Sequence, residues 1–203
     1  IIDGNQTTTI TMSIDGDNSD DNFDGLGNQT ISATTVDDDS ATFTLSANSG
    51  TVTEGGGQAT FTVVLGAQPD SNVVFALQSA DTDEATVSPA ALTFTEGNWD
   101  TPQTVTVTGV DDSLADGSQT TNITVSVNDD SSDNNFDALN DQTYVATTTD
   151  NDTAAVTLSG TTATVTEASG GGNTATFTVV LGVQPVGNVV VDLTANDGTE
   201  SSV

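Results

Sequence analysis

A chain of 203 residues with thirty aspartates and glutamates and no lysine, arginine or histidine carries a formal charge of −30. That charge argues against nucleic acid and anionic membrane as partners, since both would repel it. Cysteine is absent, which removes disulfides and thiolate chemistry, and no apolar run approaches the roughly 20 residues of a membrane-spanning helix.

Disordered acidic tails share such a charge, but here a third of the residues are apolar and they alternate regularly along the chain. The opening, IIDGNQTTTI, has neither the basic region nor the cleavage pattern of a secretory leader. It belongs to a duplication. DGNQTTTITMSI from Asp3 recurs as DGSQTTNITVSV from Asp116, and NFDGLGNQT from Asn22 as NFDALNDQT from Asn135, both at an offset of 113. ATFTVVLGAQP from Ala59 recurs as ATFTVVLGVQP from Ala175 at an offset of 116, the extra three residues lying in the run ASGGGN. Internal repetition at this period marks an array of domains. Residues 1–39 read as the last two strands of one repeat, 40–152 as a complete repeat, and 153–203 as the first three strands of the next.

Taken in chain order, the complete repeat offers seven Val/Thr/Phe/Ile-rich runs, at 42–53, 59–65, 73–78, 91–95, 103–109, 121–127 and 142–149. Each is bounded by Gly, Pro, Asn or Asp. In QTVTVTGV, Val105 and Val107 face one side and Thr104, Thr106 and Thr108 the other. No segment has helical periodicity. The expectation is all-β: tandem seven-stranded, antiparallel, immunoglobulin-like sandwiches without the Cys–Trp–Cys signature. Trp99, in the turn EGNWDTP, reads as a packing residue.

If the strands run alternately up and down, the loops sort to two poles. One pole collects Glu54, then Asp81, Asp83 and Glu84, then Asp111, Asp112 and Asp116, then Asp150 and Asp152. Two unpaired carboxylates about 4 Å apart repel by about 4 kcal/mol at an effective dielectric near 20. With no basic side chain to offset this, relief must come from protonation, salt or a bound cation. Oxygen ligands without His or Cys point to a hard cation, and Ca²⁺, which takes 6–8 oxygens in irregular geometry, suits them better than Mg²⁺. Asp70, Glu96, Asp100 and Asp192 read as ordinary solvated loop acids. The acidic loop 129–141 admits either reading, and its first copy, DGDNSDDNFDGL, lacks the glycine and glutamate of an EF-hand.

TVTEGGG…ATFTVVLG, ALTFTEGNWDTPQTVTVTGVDD and the closing TDND together resemble the Calx-β and Calx-β-like repeats of sodium–calcium exchangers, integrin β4 and large bacterial surface proteins. The middle stretch is most similar to the bacterial adhesin type. The resemblance implies a Ca²⁺ cluster at one pole. It assigns ligands to Glu54 and its second copy Glu167, to Asp111 and Asp112, to the backbone carbonyl of Leu114, to Asp116, and to Asp150 and Asp152. Asp37 and Asp39 are the preceding copy of the closing acids, and Asp3 that of Asp116. Asp81 and Asp83, with Asp197 as the second copy of Asp81, are assigned although the family's D-G-T-A stretch is replaced here by SADTDEATVSP.

These readings converge on a non-enzymatic, extracellular structural repeat: an adhesin stalk or self-assembling filament whose partners are calcium ions and copies of itself. A Ca²⁺-sensing regulatory module and a sugar- or ice-binding accessory domain are the alternatives.

Overall fold

The computed structural model describes residues 1–165 and 174–196. Strand β1 (Gln6–Met12) pairs antiparallel with β2 (Gln29–Thr35), Gln6 opposite Thr35. The same hairpin recurs downstream, where β10 (Gln119–Val127) pairs with β11 (Gln142–Thr149) and Gln119 stands opposite Thr148. The duplicated sequence therefore folds in a duplicated register.

Between these hairpins lie β3 (Phe43–Leu45), β4 (Ser49–Thr53), β5 (Gln58–Leu65), β6 (Val73–Ser79), β7 (Ala85–Ser88), β8 (Ala91–Phe94) and β9 (Gln103–Gly109). With β10 and β11 they form two sheets, β3-β5-β9-β7 and β4-β11-β10-β6-β8. Alternation does what period-two patterning demands: along β9, Val105 and Val107 are buried while Thr104, Thr106 and Thr108 are not. The buried faces meet in one apolar cluster containing Phe43, Phe61, Phe75, Phe94, Phe136 and Tyr144. Full burial of each such side chain stabilises by about 1.5–3 kcal/mol. Phe61 stacks on Tyr144 with centroids 4.5 Å apart. A side chain at Gly50 would collide with the Tyr144 hydroxyl, so the strand beneath that ring needs a glycine there. Trp99 packs against the same cluster.

The unit has nine strands where seven antiparallel ones were expected. The run 42–53 breaks because the Ser46 hydroxyl accepts the Thr62 N–H at 2.8 Å, taking the place of the next backbone acceptor. The chain then leaves β5, and Asn48 O accepts from Val145 N at 2.9 Å to begin pairing with β11 in the other sheet. That pairing, β4 with β11, is parallel. Strand β7 is too short, at four residues, to show a period.

The parallel pair positions the acids. Thr53 stands beside Thr149, so the residues that follow, Glu54 and Asp150, leave neighbouring strands at the same pole. Strand β9 ends against them: Gly109 N donates to Gly57 O and Val110 N to Glu84 O, each at 3.0 Å. Strands β12 (Val156–Leu158) and β13 (Val179–Leu181) repeat the β3–β5 pairing, including a Thr178 N–H bonded to the Ser159 hydroxyl.

Candidate metal centre

Glu54, Asp112 and Asp152 each offer a carboxylate oxygen, and the three oxygens lie within 4.8 Å of one another. Glu54 is 2% exposed, and its Oε2 accepts the Asn151 N–H at 3.2 Å. Asp150 clamps the arrangement: Oδ1 accepts the Asp152 N–H at 2.6 Å and Oδ2 the Gly117 N–H at 2.7 Å. Gly117 has φ +78°, a conformation that a side chain disfavours, and this aims its N–H at Asp150. In the turn after β9, Asp112 Oδ1 accepts the Leu114 N–H at 2.7 Å. Asp111 is exposed and takes the Asn151 side-chain amide at 2.8 Å.

At this pole the buried oxygens Asp116 Oδ1 and Asp152 Oδ2 have no hydrogen-bond partner among the described residues; the same holds for Thr121 Oγ1 and, in loop 129–141, Asp137 Oδ1. Burial pushes the Glu54 carboxyl above its usual range against the pull of the Asn151 N–H, and Asp150, Asp112 and Asp116 push the same way. Burial raises Glu84 too, with Asp116 and Asp81 as the leading neighbours. Asp152 is raised by burial and then by Asp150, Asp111 and Asp112. The donor set is wholly oxygen. Ca²⁺ holds ligands at about 2.3–2.6 Å, so oxygens on opposite sides of the ion stand about 5 Å apart, and the observed spacing fits it.

The structure thus brings Glu54, Asp111, Asp112, Asp116, Asp150 and Asp152 to one pole. Asp81 and Asp83 stay exposed in their own turn, where Asp81 Oδ1 accepts the Asp83 N–H at 3.0 Å. Leu114 sits in a parallel bridge with Gln184, formed by Ser113 O and Ala115 N on either side of it. Asp3, Asp37 and Asp39 rebuild the Asp116–Asp150–Asp152 clamp. Asp37 Oδ2 accepts the Gly4 N–H at 2.7 Å and Oδ1 the Asp39 N–H at 3.0 Å. Asp39 also meets the Ile1 amino group at 2.7 Å, and Gly4 has φ +70°. Glu167 and Asp197 lie outside the described residues.

Two members of the pole are absent from the ligand set read in the sequence. Glu84 precedes the short β7, and Asn151 holds the cluster through both its backbone and its side chain. No local signal marks the latter, whose side chain bonds Asp111 forty residues away.

At the opposite pole, loop 129–141 opens with a short helical turn, Asp129–Ser131. Asp133 is 5% exposed and accepts backbone N–H groups from Asp70 at 2.6 Å, Ser71 at 3.2 Å and Asn135 at 2.9 Å. Its carboxylate is satisfied by the chain itself and pins the loop above the buried Phe136.

No protein-family model and no curated protein matches the sequence. Solved structures that resemble the chain include domains 4 and 5 of the S-layer protein SbsC, at 21% identity over 71% of this chain and 58% of that one, with TM-score 0.42. Domains 1–6 of SbsC align at 17% identity over 88% and 26% of the two chains, with TM-score 0.43. The E. coli chaperone DraB aligns at 10% identity over 56% and 57%, with TM-score 0.40. The chain spans less than two thirds of the length of each of these.

Proposed function

We propose that the chain is a segment of a calcium-stabilised, Calx-β-like tandem array outside the cell, an adhesin stalk or filament, with Ca²⁺ held where one repeat meets the next. The observation that carries this reading is a pair of buried, unpartnered carboxylate oxygens, on Asp116 and Asp152, beside a buried Glu54 in a sequence without a basic side chain. An ionised carboxylate removed from water requires a proton or a counter-charge. At neutral pH a hard cation supplies the second. Glu54, Asp112 and Asp152 would hold it first, with Asp116 as a further ligand and Asp150, Gly117 and Asn151 fixing their geometry. Asp116, Asp150 and Asp152 have copies at Asp3, Asp37 and Asp39, and Glu54 at Glu167, without His, Cys or Lys anywhere in the sequence, which favours support over catalysis. Extracellular modules bind Ca²⁺ with dissociation constants of about 10⁻⁴–10⁻³ M, matched to a calcium-rich exterior.

Titration calorimetry of the whole chain with CaCl₂ tests this. Binding at or below about 1 mM is expected, weakened at least about tenfold in Asp152→Asn. Absence of both binding heat and a melting shift at about 10 mM calcium overturns the reading.

A further inference from the structure

Ile2 belongs in sequence to the repeat before the central sandwich, yet it is 8% exposed and part of the central core. Its N–H donates to Gln68 O at 3.1 Å and its carbonyl accepts the Asn135 side-chain amide at 3.2 Å. Gln68 is flanked by Ala67, and Asn135 by Phe136, both buried. One repeat later the contact recurs at the equivalent residues. Ala115 N donates to Gln184 O at 3.2 Å, and Gln184 N donates to Ser113 O at 3.0 Å. Ala115 then lines an open apolar pocket of about 270 Å³ with Val183, Pro185, Val186 and Val189, of which Val186 and Val189 stay exposed. The partners change size together. Where the inserted residue is Ile2, the receiving loop carries Ala67 and Asp70; where it is Ala115, the same loop carries Val183 and Val186.

We propose that the residue at position 2, and at 115 in the next copy, is a plug that completes the core of the following repeat, and that the Gly-Ala-Gln-Pro or Gly-Val-Gln-Pro loop is its socket. Plug and socket lie at opposite poles of a repeat, so the contact is head-to-tail and propagates along an open array. Each sandwich is then stabilised by its upstream neighbour through apolar burial and backbone bonds. This coupling goes beyond the calcium reading and does not depend on it.

The test uses the full chain, with Trp99, the single tryptophan, reporting melting of the central sandwich. Ile2→Val, Ile2→Ala, Ile2→Asp, Ala67→Val and the double variant Ile2→Ala/Ala67→Val are melted in calcium and in EDTA. The midpoint is expected to fall in the order Val, Ala, Asp, by about 4–8 °C for Ile2→Ala. The double variant is expected to regain at least about half of the Ile2→Ala loss, as contacting residues are not additive. The same ranking is expected in EDTA. If Ile2→Asp yields no folded protein, the Val and Ala variants decide. Midpoints within about 1 °C of the parent for Ile2→Val and Ile2→Ala, strict additivity in the double variant, or shifts present only with calcium overturn the proposal.

Discussion

Glu54 is held ionised only at a cost. Its folded-state carboxyl is raised, by burial first, then by Asp150, Asp112 and Asp116 against the Asn151 N–H. A group raised on folding binds its proton more readily folded than unfolded, so stability falls as pH rises from the ordinary carboxylate value through the raised one. Glu84 and Asp152 act in the same direction. Asp37 acts in the other: backbone N–H groups of Asp39 and Gly4 hold it low, so its contribution is present above its unfolded value and lost as pH falls through the folded one. In chelator, the melting temperature is therefore expected to decline as pH rises above the ordinary carboxylate value of about 4. In saturating calcium the slope is expected to reverse, because protons and metal compete for the same oxygens. Glu54→Gln is expected to raise and flatten the chelated profile while weakening calcium binding. A profile unchanged by the substitution would remove Glu54 from the site.

At the scale of elements, the acids meet because β4 runs parallel to β11 and both end at one pole. The strands that are long and alternating, β5, β9, β10 and β11, were legible because each buries one face and leaves the other wet. The break at Ser46 was not legible, since Thr and Ser stand on both sides of it and a single hydroxyl decides where pairing stops. Glu54, Asp112 and Asp152 were legible as loop acids in a chain without bases. Asn151 was not, because its role depends on a contact to Asp111 forty residues away in sequence.

Loop 129–141 is the element where acidity alone decides nothing: Asp133 already receives three backbone N–H donors, while Asp137 Oδ1 is buried without a partner among the described residues. Hydrogen bonds to a charged group are worth about 1.5–3 kcal/mol each, and unpaired buried donors are costly. Asp133→Ala is therefore expected to destabilise the central sandwich by about 2–4 kcal/mol in denaturant titration, with calcium affinity unchanged. Equal loss of calcium binding would place Asp133 in a second metal site.

For the whole molecule the question is whether a charge of −30 is relieved diffusely or at points. A halophile-like surface is relieved diffusely: monovalent salt screens it over a length of about 8 Å at physiological ionic strength, and the identity of the cation matters little. On the proposed reading, acids collected at a pole with orphaned buried oxygens would instead answer to a cation that enters the cluster. At constant ionic strength, exchanging NaCl for about 2 mM CaCl₂ is expected to raise the Trp99 melting midpoint by several degrees, since this is about 2–20 times the expected dissociation constant and a bound ligand adds RT ln(1 + [L]/Kd) to stability. Raising NaCl alone from about 0.15 to 0.5 M is expected to do much less, because partly buried pairs are screened weakly. Equal effects of the two salts would assign the acidity to the solvated surface. The point-site outcome has a mechanical corollary, because the Asp112–Asp116 turn that would hold the ion contains Ser113 and Ala115, which make backbone bonds to Gln184 of the next repeat. Ordering that turn orders the joint, so small-angle scattering is expected to show a longer, narrower distribution of intramolecular distances in calcium than in chelator.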